Sequence, residues 1–126
     1  MDFPNGGILI AMEGKVGDLS NDYGIDFDEI VLFFEESTVI LRPISETDEI
    51  SIGIGPGSRV DRRRRRVQLF PDLIGKQLNF SWISANNQGY QDLIVMAFDG
   101  TTPNFGVLCV GSMLQILNID LLRTHG

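Results

Sequence analysis

Short apolar runs with a repeat of two residues follow one another along the chain. Isoleucine occupies every second position in residues 50–54, which is the side-chain period of a β-strand with one buried face. Residues 30–34 are apolar throughout, as in a strand that is covered on both faces. Residues 39–41 resume the pattern after the polar turn at residues 35–37. These runs predict three strands joined by turns, and the segment at residues 6–17 predicts a strand before them.

The second half of the chain has the same organisation. Leu78, Phe80 and Trp82 alternate with other residues, and so do the apolar positions of residues 93–97. The segment between these runs, residues 84–91, contains asparagine and glycine, which tolerate the positive φ angles of a turn. The pattern therefore predicts a hairpin, and the apolar run that begins at Phe105 predicts a further buried strand.

The C-terminal segment, residues 112–123, fits two structures. Ser112 and Gln115 match a capping box, which precedes a helix. Leu114 and Ile116 alternate with their neighbours in the way of a strand. We favour the strand and keep the helix as the alternative.

Six to eight short strands connected mostly by tight turns predict the fold class. We expect a mainly β protein, all-β or α+β, in which an antiparallel meander curls into a roll or small barrel. At most one or two short helices are expected, one of them a single turn at residues 71–76, where proline stands at the first position. The 126 residues predict a single domain that spans residues 1–126.

Composition narrows the class of protein further. Hydrophobic residues make up 43% of the chain and charged residues 21%, as in ordinary globular proteins. No apolar run approaches the ~20 residues of a membrane-spanning helix, and residues 1–7 lack the basic start of a signal peptide. The lone cysteine, Cys109, excludes an internal disulfide. We therefore expect a soluble cytoplasmic protein with no membrane partner.

Charge is distributed unevenly along the chain, whose formal net charge is −7. Residues 1–58 carry 12 acidic and 2 basic residues, whereas residues 59–76 carry 7 basic and 2 acidic residues. Five of these bases are consecutive: Arg62, Arg63, Arg64, Arg65 and Arg66. A strand or helix of five arginines would direct charge into a core, so the run predicts a loop or a hairpin tip.

The arginine run has three interpretations. Guanidinium groups match carboxylates and phosphates. The first interpretation is therefore an acidic protein surface, on another protein or on the acidic half of a second copy, and the second is nucleic acid. The pI of about 4.5 and the absence of a second basic cluster argue against nucleic acid. The third interpretation is an exposed loop without a fixed partner.

An acidic loop at residues 18–29 has a partial match to a calcium-binding loop. Its oxygen-bearing side chains stand at positions 1, 3, 5, 9 and 12 of the loop, counted from its first residue. They are Asp18, Ser20, Asp22, Asp26 and Glu29. Position 6, which requires glycine for a sharp turn, is Tyr23. The loop is therefore a weak metal candidate, and a solvated acidic loop is the simpler interpretation.

The predicted hairpin carries a candidate ligand site. Aromatic side chains near amides and a carboxylate can line a pocket. The members of this group are Trp82, Asn86, Asn87, Gly89, Tyr90 and Asp92. The alternative is an ordinary hairpin whose asparagines shape the turn.

Several of these segments together resemble a small family of bacterial domains of unknown function. The resemblance rests on the sequences Thr-Asp-Glu-Ile at residues 47–50, Gly-Lys-x-Leu at residues 75–78, Trp82, and Asn-x-Gly-Tyr-x-Asp at residues 87–92. It implies no activity. It implies an immunity or accessory protein, and it implies that the segment 82–92 is more than a hairpin.

No nucleophile–base set, phosphate-binding loop or Cys/His metal spacing occurs in the sequence. We therefore expect no cofactor and a non-enzymatic binding module that acts through protein–protein contacts, with another protein or as a homodimer. The alternative is an enzyme that depends on a small molecule or metal, with its site at the Trp82–Asp92 hairpin or at the acidic loop.

Overall fold

The computed structural model describes residues 3–17, 26–57 and 66–119. In these ranges the chain forms nine β-strands and one short 3₁₀ helix, Pro71–Leu73. The strands are β1 (Leu9–Val16), β2 (Phe27–Phe34), β3 (Ser37–Ile44), β4 (Glu49–Pro56), β5 (Val67–Gln68), β6 (Leu78–Ala85), β7 (Gln91–Phe98), β8 (Phe105–Val110) and β9 (Met113–Asn118).

All strand pairs are antiparallel and belong to one sheet. Along its main path the order is β4-β3-β2-β9-β8-β7-β6, while β1 pairs with β2 and with β5. The sheet curls, so that a bridge between Ile8 and Gln77 joins the start of β1 to the start of β6. The backbone N–H of Leu78 donates to the carbonyl oxygen of Gly7 over 2.9 Å at the same place. The predicted mainly β fold, an antiparallel sheet curled into a roll, is confirmed as a curled half-barrel.

The core fills the concave side of this sheet. Its fully buried side chains come from nearly every strand, and the largest are Phe34, Phe105, Leu9, Met12, Ile30, Leu32, Leu41, Leu78, Ile94, Met96 and Leu114. Phe105 lies at the centre of three stacked rings, with its centroid 4.5 Å from that of Phe70 and 6.2 Å from that of Phe98. The core thus connects the two halves of the chain.

The C-terminal segment is a strand between residues 113 and 118, and the predicted strand is confirmed there. Gly111 and Ser112 form a two-residue turn in which both φ angles are positive, 59° and 65°. Turns of this kind match the twist of a tight hairpin. The capping-box interpretation of Ser112 is wrong, because its backbone N–H instead donates to the Asp48 carboxylate over 2.7 Å.

Candidate functional site

The outer, convex face of strands β6 to β9 is apolar. Side chains alternate across β7: Ile94 and Met96 are buried in the core, whereas Leu93 and Val95 point to the opposite side. The strand register carries this outer face across the sheet, since Trp82 pairs with Val95, Val95 with Gly106 and Gly106 with Leu117.

We call this surface the apolar face. Its apolar members are Phe80, Trp82, Leu93, Val95, Leu108, Val110 and Leu117, and the register adds two polar residues, Ser84 opposite Leu93 and Gln115 opposite Leu108. Four of its members are large hydrophobic residues with high exposure: Phe80 at 44%, Trp82 at 42%, Val110 at 45% and Leu117 at 39%. No member of the face carries a charge, although 21% of the chain is charged.

Aromatic rings form one border of the apolar face. Phe80 and Trp82 stand two positions apart on β6, and their ring centroids are 5.9 Å apart with an interplanar angle of 21°. Gly106 lies near the middle, where a Cβ atom would meet side-chain atoms of Leu93 at 3.4 Å and Val95 at 3.5 Å. Without a side chain at that position the face is flat around Gly106.

The remaining hairpin residues of the sequence prediction do not converge with Trp82. The Asn86 side-chain oxygen accepts hydrogen bonds from the backbone N–H groups of Gln88 over 2.9 Å and Tyr90 over 3.2 Å. Gly89 has a φ of 84°. Asn86 and Gly89 therefore shape the turn between β6 and β7.

Asn87 is exposed in the same turn, while Tyr90 and Asp92 are half-buried. Two cavities lie elsewhere: one of about 260 Å³ is lined by Phe3, Ile52, Ile54 and Ile83, and one of about 400 Å³ is lined by residues 4–8 and 34–37. None of the six predicted site residues of this hairpin lines either cavity, and Ile83 is the hairpin residue at the smaller one.

A second candidate surface lies on the outer face of strands β5, β1, β2 and β3. Glu29 is only 6% exposed, and its two carboxylate oxygens accept from two arginines. Arg42 donates from Nε to Oε2 over 2.7 Å. Arg66 donates from Nη2 to Oε1 over 2.8 Å. One buried carboxylate thus holds two guanidinium groups.

The strand register places these residues in one line with Lys15. Lys15 pairs with Glu29 between β1 and β2. Ile30 pairs with Leu41, so the next pair along these antiparallel strands is Glu29 with Arg42. Gly14 pairs with Val67, so the next pair there is Lys15 with Arg66. We call Lys15, Glu29, Arg42 and Arg66 the basic row.

The arginines determine the protonation of Glu29. Burial on its own would raise the pKa of this carboxyl, but the hydrogen bonds and positive charges of Arg66 and Arg42 hold the pKa below its ordinary value. Glu29 is therefore ionised near neutral pH, and the row retains a surplus of positive charge.

Three polar side-chain atoms near the row are buried without a hydrogen bond to the protein. They are Nε and Nη1 of Arg66 and Oε2 of Glu13, a β1 residue that pairs with Gln68 of β5. An unpaired buried donor or acceptor costs about 1–3 kcal/mol. The Arg66 side chain is only 12% exposed, so its two unpaired nitrogens are shielded from solvent.

The sequence predictions at these segments fall partly outside the described residues. Arg62, Arg63, Arg64 and Arg65 lie outside them, as do Asp18, Ser20 and Asp22 of the acidic loop. Asp26 accepts from Nε2 of Gln115 over 3.1 Å. Within residues 3–17, 26–57 and 66–119, no group of three or more His, Cys, Asp or Glu side chains is placed to hold a metal ion.

Sequence reasoning missed the Glu29–Arg66 pair and the apolar face. The pair joins residues 37 positions apart, so only the pairing of β5 with β1 and of β1 with β2 reveals it. The alternation on β7 did give a signal for the face, because both of its sides are apolar. None of the helices among the described residues is long and apolar enough to cross a membrane.

Comparison with known proteins places this chain in a family. It belongs to DUF6334, a family of unknown function, whose model matches residues 2–122. No curated protein and no solved structure matches the chain. The membership confirms the resemblance to a family of unknown function and brings no activity with it.

Proposed function

We propose that this member of the DUF6334 family is a non-enzymatic binding module that acts through protein–protein contacts. The apolar face is its contact surface, and a second copy of the chain is its partner. The observation that supports the proposal is an uncharged outer sheet face on which Phe80, Trp82, Val110 and Leu117 are each about two-fifths exposed.

The dimensions of the apolar face suit a contact surface. Four strands about 4.8 Å apart, each with about six residues at ~3.4 Å, span roughly 20 by 20 Å, or about 400 Å². A patch of this size matches the largest apolar patch of a typical monomer, which is often functional. Trp82 and Phe80 supply the aromatic side chains that dominate the binding energy of many interfaces.

An uncharged contact surface keeps the repulsion between two copies low. Each chain has a formal net charge of −7, so acidic groups inside the contact would add to that repulsion. The apolar face has no charged member, and the carboxylate of Asp26 lies at its border, where it accepts from Gln115 of β9. One surface patch can also pair with its own copy across a two-fold axis, and packed sheet faces lie about 10 Å apart.

The enzymatic alternative has weaker support. An active site requires polar groups that converge in a concave site. Trp82 lies on the outer face of β6, whereas Asn86 and Gly89 shape the following turn. We place the module in the cytoplasm within the same proposal, because its one cysteine, Cys109, is buried and free.

Light scattering tests the proposal directly. The wild-type protein should show twice the chain mass of 14.0 kDa. A concentration of about 100 µM is used because an interface of modest size can hold two copies together at that concentration. The Trp82→Ser variant should show a single chain mass. Ile10→Ser is the matched control, because Ile10 is 51% exposed but lies on β1, away from the apolar face.

A wild-type protein that stays monomeric at this concentration contradicts self-association. A dimer that persists in Trp82→Ser and dissociates in Ile10→Ser assigns the contact to another surface. Circular dichroism of each variant separates loss of contact from loss of fold.

A further inference from the structure

We propose that the basic row is a second docking surface, which binds an acidic segment of a partner protein through Lys15 and Arg42, while Arg66 holds Glu29 in place. This surface lies on the outer face of strands β5, β1, β2 and β3. It is separate from the apolar face, so neither proposal depends on the other.

The concentration of positive charge is the first support. The described residues include four lysines and arginines: Lys15, Arg42, Arg66 and Lys76. Three of the four share one row, in a chain whose formal net charge is −7. A local basic surface on an acidic protein steers a negatively charged partner towards one orientation.

Glu29 organises the row and does not neutralise it. Within the row its single negative charge stands against three positive charges, and Glu13, two residues before Lys15 on the same side of β1, adds a second acidic group beside the row. The bond from Arg42 Nε to Glu29, 2.7 Å long, fixes the plane of that guanidinium. The Arg42 side chain is 59% exposed, so its terminal nitrogens face the solvent as a fork for a carboxylate. A preorganised arginine loses less conformational entropy on binding.

The geometry of the row fits an extended segment. Neighbouring strands are about 4.8 Å apart, so Lys15 and Arg42, two strands apart, are separated by roughly 10 Å. Carboxylates that alternate along an extended chain repeat every ~7 Å. Two or three acidic residues of one short segment can therefore contact both cations through their flexible side chains.

An acidic protein segment fits the surface better than nucleic acid does. The overall charge of −7 opposes a long polyphosphate, because such binding depends on many cations acting together. The row also has no aromatic side chain, whereas proteins that bind single strands stack bases on aromatic rings.

Fluorescence anisotropy with a labelled oligoglutamate of about ten residues tests the proposal at about 50 mM salt, where the Debye length exceeds ~10 Å. Arg42→Ser should weaken binding roughly tenfold, and Lys15→Ser roughly threefold. Lys76→Ser is the matched control: it makes the same change of residue and charge at an exposed position outside the row. It should change binding less than ~1.5-fold.

Lys15→Ser removes no hydrogen bond to Glu29, so it keeps the test valid if Arg42→Ser weakens the fold. The proposal is overturned if oligoglutamate does not bind, or if Lys76→Ser weakens binding as much as Lys15→Ser. It is also overturned if an oligonucleotide of equal charge binds more tightly and loses that affinity in Lys15→Ser. Replacement of Arg62–Arg65 by serine gives the last comparison: if that change alone abolishes binding, the row is not the docking surface.

Discussion

Arg66 reaches across strand β1 to Glu29 on strand β2, and its Nη2 donates to the Glu29 Oε1 atom over 2.8 Å. The last arginine of the run is thereby bound to the folded sheet. Because Arg42 donates to the other oxygen of the same carboxylate, Glu29 joins β2 to β3 and to the residue before β5 through side chains alone. Removal of that carboxylate leaves a largely buried arginine without its counter-charge.

We expect Glu29→Gln to destabilise the protein by about 3 kcal/mol at pH 7, because breaking a buried ion pair leaves an uncompensated charge. Urea unfolding measures this difference. Glu36→Gln is the matched control, because Glu36 is exposed in the β2–β3 turn and should stay within ~0.5 kcal/mol of wild type. Equal effects of the two changes would show that the pair contributes nothing specific.

The same pair should make stability depend on pH. Arg66 and Arg42 outweigh the effect of burial and hold the folded-state pKa of Glu29 below its ordinary value. A carboxylate of this kind contributes stability above its unfolded-state pKa of ~4.3 and loses that contribution as pH falls through the lower folded-state pKa.

The wild-type advantage over Glu29→Gln should therefore be constant from about pH 5 to 7 and shrink below about pH 4. Urea unfolding of both proteins at a series of pH values measures it. An advantage that grows towards low pH would contradict the assignment.

The strands could be predicted from the sequence, but the side of each strand that faces water could not. In residues 93–98 both sides are apolar: Leu93 and Val95 on one, Ile94 and Met96 on the other. Period-two alternation then identifies a strand and leaves its buried face undecided. Only the curl of the whole sheet decides that Ile94 and Met96 face the core.

Glu29 shows the same limit for the candidate site. Its local sequence makes it the closing residue of an acidic loop, which suggests a cation ligand. The partner that occupies its carboxylate comes from 37 residues later in the chain. Contacts between such distant residues follow from strand pairing, which local patterns do not encode.

Gly14 should be intolerant of any side chain. A Cβ atom at this position would lie 2.5 Å from Cε1 of the Phe27 ring, which is too close for contact with a rigid aromatic. We expect Gly14→Ala to cost about 1–3 kcal/mol of stability through overpacking. Urea unfolding checks this. Gly55→Ala on β4 is the control, since a Cβ atom there meets nothing within 4 Å.

Gly55→Ala should be neutral or stabilise by about 0.5 kcal/mol, because glycine in a strand loses more conformational freedom than alanine on folding. A Gly14→Ala variant as stable as Gly55→Ala would show that the Phe27 ring has room to move.

Cys109 should be unreactive in the folded protein. Burial, helped by the negative charges of Asp48 and Asp92, raises the pKa of this thiol to about 11. At pH 8 roughly a thousandth of it would be thiolate, the reactive form, and the residue is only 2% exposed. Labelling with a thiol reagent at pH 8 should be slow without urea and rapid with it. Rapid labelling of the native protein would contradict this placement.

Trp82, the only tryptophan of the chain, should report on contact at the apolar face. It is 42% exposed, so its emission in dilute solution should be that of a partly hydrated indole. If two apolar faces meet, the emission maximum should move to shorter wavelength as the protein concentration rises, because contact removes water from the ring.

Val110→Lys places a charge on the same face at a position 45% exposed, and it should abolish the shift while it preserves the dilute spectrum. A dimer seen by light scattering without any spectral shift would mean that the copies associate through another surface. A shift that persists in Val110→Lys would mean that the contact reaches β6 and leaves β8 free.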